Sequence, residues 1–97
     1  MFVTTDVHHV RSIRYRVDLN GDGMPLLFHE LISGPLSAWT GDLPPLDPTF
    51  NPEELYEGSD YFNAASLTIT PDEGLVAVIL DADGGVVEGS TVRIPAE

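Results

Sequence analysis

Residues 75–80 read Leu-Val-Ala-Val-Ile-Leu, an apolar run bounded by Pro-Asp-Glu-Gly at 71–74 and Asp-Ala-Asp-Gly-Gly at 81–85. Such a run is too short for an independent helix, and its Val and Ile content favours a strand that is buried on both faces. This strand needs neighbours on both edges, because unpaired backbone groups on an apolar strand recruit other chains. The flanking residues 65–70 and 86–94 are the candidate neighbours. The sequence therefore predicts a three-stranded antiparallel meander over residues 65–94.

The N-terminal third predicts a hairpin over residues 12–33. Apolar and charged residues alternate through residues 13–19, which is the period of a half-buried strand. Residues 20–23 (Asn-Gly-Asp-Gly) favour a tight turn, because Asn and Gly accept positive φ angles. Residues 24–33 form the predicted partner strand, with a short helix over residues 28–33 as the alternative. Residues 1–10 are interpreted as an arm or a strand extension.

A loop-rich crossover is predicted over residues 34–63, because prolines recur through residues 35–52 and prevent regular structure. Within it, residues 51–58 (Asn-Pro-Glu-Glu-Leu-Tyr-Glu-Gly) carry the start and stop signals of a short helix. The chain of 97 residues is predicted to be one all-β domain. We expect a small antiparallel β-sandwich, immunoglobulin-like in arrangement, or an open barrel, with one short helix in the crossover.

Charge is the strongest global feature, with a net charge of −12 and no Lys. Residues 1–18 hold three Arg and two Asp, a balance of +1, and the remainder holds fourteen acids and one Arg, a balance of −13. Such a surface repels nucleic acid and anionic membranes, so neither is an expected partner. The chain has no Cys, and it shows no secretion signal or apolar membrane-spanning run. We expect it in a virion, or in the cytoplasm of the cell that produces it.

Residues 18–23 (Asp-Leu-Asn-Gly-Asp-Gly) resemble the opening of a calcium loop of the EF-hand or dockerin type. That resemblance implies Asp18, Asn20 and Asp22 as weak calcium ligands. The twelfth position is His29 where those loops have Glu, and no helical pattern flanks the loop, so a hairpin turn is the preferred interpretation. The three His residues have no metal-ligand spacing. We predict no metal and no cofactor.

Catalytic motifs are absent from the sequence. It contains no Gly-x-Ser-x-Gly, no phosphate-binding glycine loop and no dinucleotide fingerprint. The acidic residues Glu53, Glu54 and Glu57 fall on the predicted short helix, where solvation explains them better than acid–base catalysis. The sequence therefore predicts a protein that is not an enzyme.

Two groups of residues are the predicted partner-binding surfaces. The first is a cationic strip on the N-terminal strand, which would dock head-to-tail on an acidic face of a neighbouring copy: Arg11, Arg14 and Arg16. The second lies among five aromatic residues of the crossover, which either close one end of the core or anchor a partner protein: Trp39, Phe50, Tyr56, Tyr61 and Phe62. Of these, Trp39, Phe50 and Tyr56 are the predicted partner-binding residues.

These features predict a non-enzymatic structural or interaction module. The expected setting is a phage virion, as a capsid decoration or a tail-associated protein, with protein subunits, itself or a capsid lattice as partners. The alternative is an acidic inhibitor that occupies a nucleic-acid-binding or other basic site on a partner. A small enzyme or a calcium-binding domain is the third hypothesis.

Overall fold

The computed structural model describes residues 1–4, 8–36 and 39–96. This part of the chain forms seven strands and no helix: β1 (Phe2–Thr4), β2 (Val10–Val17), β3 (Leu26–Ile32), β4 (Pro52–Gly58), β5 (Asn63–Thr70), β6 (Gly74–Asp81) and β7 (Val92–Ile94). Sheet A has the order β1-β3-β2-β4, and sheet B has the order β5-β6-β7. The all-β prediction is confirmed, and no barrel closes among these strands.

The predicted N-terminal hairpin is confirmed. β2 and β3 pair antiparallel, with Tyr15 opposite Phe28 and Arg14 opposite His29. The connecting turn contains Gly21 and Gly23, both at positive φ. The alternative helix over residues 28–33 is wrong, because those residues belong to β3 and the loop after it. The N-terminal residues of the predicted arm form β1, which pairs parallel with β3, while residues 5–7 lie outside the described part.

The predicted short helix over residues 51–58 is wrong, because the structure has β4 there, antiparallel to β2. A single helical turn has a costly nucleus and few hydrogen bonds, whereas pairing with β2 satisfies the backbone along the strand. Asn51 adopts a positive φ of 51° and ends a turn where the prediction had a helix cap. A bulge at Leu55 shifts the register, so that Ser12 faces Tyr56 and Ile13 faces Glu54. The crossover therefore contains a strand.

The C-terminal meander is confirmed, with β6 between β5 and β7. Its third strand is shorter than the predicted residues 86–94. After β6 the chain makes a tight turn closed by a 2.9 Å bond from Asp81 N to Gly85 O, then a single bridge between Leu80 and Val86. Ser90 Oγ accepts a 3.1 Å hydrogen bond from Ile79 N, so a side chain replaces a strand partner there.

The core lies between the two sheets. Its buried cluster takes two residues from sheet A and three from the β6–β7 side: Val10, Leu31, Ala77, Ile79 and Val92. Partly buried apolar side chains, Leu55 and Tyr56 of β4 among them, pack around this cluster. The apolar core is therefore small for a chain of this length.

The prediction that residues 75–80 are buried on both faces is wrong. Ala77 and Ile79 are buried, but the alternate side chains Val76, Val78 and Leu80 are only half-buried. Sheet A covers Ala77 and Ile79. Among the described residues, no further layer covers Val76, Val78 and Leu80. An apolar strand that is buried on one face only leaves apolar surface for contact with another molecule.

Candidate interaction surfaces

The predicted arginine strip divides between the two faces of sheet A. Side chains alternate along a strand, so Arg11 points to the face opposite to Arg14 and Arg16. Arg11 is only 5% exposed, whereas Arg16 is exposed and Arg14 is half-exposed. The structure therefore brings together Arg14 and Arg16, and it encloses Arg11 within its own chain.

Arg11 is the centre of an ion cluster on the outer face of sheet A. Its Nε lies 2.7 Å from Glu54 Oε2, and one terminal nitrogen lies 3.8 Å from Glu57 Oε2. That terminal nitrogen also donates a 2.7 Å hydrogen bond to Pro44 O. Burial, and then the neighbouring Glu57, raise the pKa of Glu54 against the opposing effect of Arg11. Arg11 thus joins β2, β4 and the crossover, which is a structural role.

Arg14 and Arg16 line an open groove of about 380 Å³ on the other face. Arg14 donates two bonds to Glu53 Oε2, at 2.9 Å from Nε and 2.6 Å from a terminal nitrogen. The Arg16 side chain makes no ion pair or hydrogen bond among the described residues. Leu27, which faces Arg16 across the hairpin, is 52% exposed. We call this surface the Arg16 groove; it is lined by Arg14, Arg16, Leu27, Asn51, Pro52 and Glu53.

Trp39 presents an exposed aromatic surface. Its ring stacks on His8 with centroids 4.4 Å apart, and a 2.7 Å contact joins His8 Nδ1 to Trp39 O. Gly41 N also donates a 2.8 Å bond to His8 O, which fixes the crossover beside this pair. Although it is held in this way, Trp39 stays 65% exposed. A large side chain that is ordered and exposed is the type that dominates interface energetics.

The other two predicted aromatic residues lie in different surroundings. Phe50 is exposed in a turn that is closed by a 3.2 Å bond from Asn51 N to Pro48 O. Tyr56 is half-buried, and its hydroxyl bonds to that of Tyr61 at the margin of the core. Burial, and then this contact with Tyr56, raise the pKa of Tyr61. Phe50 therefore remains available to a partner, and Tyr56 packs within the fold.

Three aromatic rings that the sequence analysis missed line the outer face of sheet A. Phe28 stacks on Tyr15 at 4.8 Å and meets Phe2 edge-on at 5.8 Å. Tyr15 donates a 2.8 Å hydrogen bond to Glu30, and burial followed by this bond raises the pKa of Tyr15 to about 12. If the predicted turn is centred between residues 21 and 22, the register of the two strands places Tyr15 opposite Phe28. No such signal marks Phe2, because its parallel pairing with β3 is not local.

The weak calcium candidate forms a turn. Asp18 accepts hydrogen bonds from Asp22 N at 3.2 Å and Gly23 N at 2.9 Å, and Asp22 accepts one from Met24 N at 2.8 Å. These backbone bonds, that of Gly23 most strongly, lower the pKa of Asp18. The third candidate, Asn20, is exposed. Within residues 1–4, 8–36 and 39–96, no group of three or more His, Asp or Glu side chains could hold a metal ion.

Two of the three histidines are buried. His9 and His29 are each only slightly exposed, and burial is the main cause that lowers the pKa of both. Nearby cations lower it further, Arg11 for His9 and Arg14 for His29. Both side chains therefore stay neutral to a lower pH in the folded protein than an ordinary His does.

Comparison with protein-family models, with curated proteins and with solved structures gives no significant match. None of the described residues belongs to a helix long and apolar enough to cross a membrane. A function for this chain has to be inferred from its own surfaces.

Proposed function

We propose that this chain is a non-enzymatic protein-binding module that works within an assembly. The observation that carries this proposal is the balance of apolar residues: among the described residues fourteen large apolar side chains are exposed, against six apolar residues that are buried. Large exposed apolar areas on soluble proteins mark surfaces that contact other molecules. The net charge of −12 keeps such a chain in solution until it meets its partner.

The Arg16 groove is the surface that best fits a protein partner. It combines the guanidinium of Arg16 with the exposed side chain of Leu27. Arginine binds carboxylates through paired hydrogen bonds, as Arg14 already does with Glu53. A partner segment with one acidic and one apolar residue would satisfy both features, and Trp39 provides a second anchor outside the groove.

The virion setting, as a capsid decoration or tail-associated protein, is a finer form of this proposal and stays a prediction. The immunoglobulin-like arrangement of the two sheets likewise stays a prediction. Both extend the same idea, which is a small two-sheet domain that other protein subunits bind.

An acidic inhibitor of a basic partner is the second candidate function. It is supported by carboxylates that are exposed on the turns of sheet B and form no ion pair among the described residues: Asp72, Glu73, Asp81, Asp83 and Glu88. Such a surface steers a cationic partner, and its binding weakens steeply with salt. Binding through the Arg16 groove and Trp39 depends more on apolar contact, so it keeps most of its strength in salt.

Isolation of the tagged chain from the cell that produces it tests the proposed function. We expect the wild type to retain a discrete protein that the Arg16→Glu variant and the Trp39→Ser variant retain less well. Asp83→Asn is the matched control, because it changes an exposed charge on a turn of sheet B and Asp83 is not among the residues that line the Arg16 groove. Retention that is unaffected by Arg16→Glu and Trp39→Ser, but lost in Asp83→Asn or at high salt, would favour the acidic inhibitor. If neither the wild type nor any variant retains a protein, the proposal is contradicted.

A further inference from the structure

β5 is an edge strand of sheet B, and its outer edge lacks the features that usually protect such edges. It pairs with β6 along all eight residues without a register shift, and its other edge is the edge of sheet B. Native proteins protect such edges with charges, prolines, bulges or short strands. β4, at the edge of sheet A, has a proline, three glutamates and a bulge, and β1 and β7 have three residues each. β5 contains no charge, no proline and no bulge.

The outward backbone groups of β5 are identified by a hydrogen bond at its first residue. Asn63 N donates a 2.8 Å bond to Pro35 O, on the side away from β6. Because backbone direction alternates along a strand, the N–H and C=O groups of Ala65, Leu67 and Ile69 point the same way. These groups make no hydrogen bond among the described residues.

The side chains of β5 leave apolar surface beside this edge. Leu67 and Ile69 lie on the face of sheet B that carries the buried Ala77 and Ile79, but they extend beyond the core. Leu67 is 43% exposed and Ile69 is 76% exposed. An edge with free backbone groups and exposed apolar side chains is suited to pairing with another strand.

We propose that β5 pairs antiparallel with β5 of a second copy of this chain, about a two-fold axis at Leu67. Leu67 then faces Leu67 of the second copy, and Ala65 faces Ile69. The three outward N–H groups of each copy all find carbonyl acceptors, and the two sheets join into one six-stranded sheet. This inference rests on the proposed function, since it names the partner for one of the exposed surfaces.

A second copy fits this edge because β5 is self-complementary. In the proposed register the large side chain of Ile69 faces the small side chain of Ala65, and Ser66 faces Thr68 on the other side of the sheet. Paired hydroxyl side chains and paired apolar side chains both stabilise neighbouring strands. The hydrogen-bonded ladder between the two copies also leaves no unpaired N–H at its end, because Thr70 is followed by a proline, which lacks an N–H.

Charge also favours β5 as the contact between copies. Two chains with a net charge of −12 each repel one another, and a seam formed by β5 places uncharged residues at their closest approach. Salt screens the remaining repulsion, so the paired form gains stability as salt is added. Head-to-tail docking of Arg14 and Arg16 on an acidic face would respond to salt in the opposite direction.

The absence of Cys from the chain allows a specific test of the register. A single Leu67→Cys substitution places the two thiols opposite each other, at the Cα separation of about 5.5 Å that hydrogen-bonded pairs share and that disulfides accept. Ile69→Cys and Thr68→Cys place each thiol opposite a different residue of the second copy. We expect the Leu67→Cys variant to form a disulfide-linked dimer at least roughly tenfold faster than the other two, because a correct separation is needed for the bond.

Light scattering during size-exclusion chromatography measures the association of the unmodified chain. We expect the wild type to approach the mass of two chains at protein concentrations up to about 1 mM, and more completely in about 0.5 M salt. Ile69→Lys should weaken association roughly tenfold or more by placing a charge at the seam. Its melting temperature should stay close to that of the wild type, because the side chain is 76% exposed.

A wild type that stays monomeric under all these conditions overturns the inference, as do equal linking rates in the three Cys variants or undiminished association of Ile69→Lys. None of those results affects retention of a partner through Arg16 and Trp39. The failure of the proposed function would instead appear as the loss of that retention from the wild-type chain.

Discussion

Arg11 and Glu54 form an ion pair between β2 and β4, with Arg11 Nε 2.7 Å from Glu54 Oε2. The Arg11 side chain is almost fully buried, and the same guanidinium donates to Pro44 O of the crossover. One cation therefore connects two strands and the proline-rich segment that covers them. This explains why one of the four positive residues of a strongly acidic chain is enclosed by the fold.

Removing that cation should cost more than removing its exposed neighbour. Arg11→Met removes the hydrogen bond to Pro44 O and leaves Glu54 beside Glu57 without a compensating charge, so we expect the free energy of unfolding to fall by roughly 2 kcal/mol. Arg14→Met, which breaks the exposed pair with Glu53, should cost about 1 kcal/mol or less. Urea denaturation of both variants measures the difference. Equal losses would contradict a structural role for Arg11.

Two glycines with similar backbone angles should respond differently to substitution. Gly74 and Gly84 have φ angles of 75° and 81°, but a Cβ at Gly74 would lie against the backbone of residues 94–96, whereas a Cβ at Gly84 would meet nothing. Gly84→Ala should cost about 1 kcal/mol from its positive φ alone. Gly74→Ala should cost roughly 3 kcal/mol or more, because backbone atoms would have to move. Thermal unfolding of the two variants tests this, and similar losses would mean that the C-terminal segment does not pass close to Gly74.

Stability should decrease as the pH falls below the ordinary histidine pKa of 6.5. The pKa values of His9 and His29 are lowered in the folded protein, so the unfolded chain binds more protons in this range. The stabilisation is present above pH 6.5 and is lost as the pH falls toward the lowered pKa values of the two histidines in the folded protein.

The raised pKa of Glu54 acts in the opposite sense, since it favours the folded state at acid pH and this contribution is lost as the pH rises.

The double variant His9→Gln, His29→Gln isolates the histidine contribution. Urea denaturation between pH 5.5 and 7.5 should show a stability that rises with pH in the wild type and much less in the variant. An identical pH dependence in the two proteins would show that these side chains are not held neutral by the fold.

The turn at Asp18 should need its carboxylate but not calcium. Asp18→Ala removes the acceptor for the N–H groups of Asp22 and Gly23, so we expect a lower melting temperature. The decrease should be the same with and without added calcium. If calcium instead raises the melting temperature of the wild type and not of the variant, the calcium-loop interpretation is correct.

Local signals in the sequence were sufficient for part of the fold. The turn residues between β2 and β3 and between β5 and β6 place both hairpins. Gly is visible in the sequence, and it is the residue that most readily takes the positive φ that these turns need. The same kind of signal failed at Asn51 and Gly58, which resemble the caps of a helix but bound β4. Pairing between β4 and β2 depends on residues about forty positions apart, and no local pattern reports it.

The candidate surfaces were predictable to a similar extent. Alternation along β2 separates Arg11 from Arg14 and Arg16 once the strand is known, but the burial of Arg11 depends on Glu54 and Pro44, which are distant in sequence. The position of Trp39 depends on its stacking with His8, which is also distant in sequence. The open edge of β5 follows from the strand order alone, because its sequence gives no indication of which edge is covered.

Site-specific photocrosslinking in the producing cell tests the central claim most directly. A photoreactive benzoylphenylalanine replaces Leu27 in the Arg16 groove in one variant, and Asp83, on the turn after β6 and outside the groove lining, in another. The proposed function predicts a discrete protein adduct from position 27, which is lost when Arg16→Glu is added, and none from position 83. An adduct from position 83 alone would indicate the acidic inhibitor instead. Absence of adducts from both positions would contradict the Arg16 groove as the protein-binding surface of this chain.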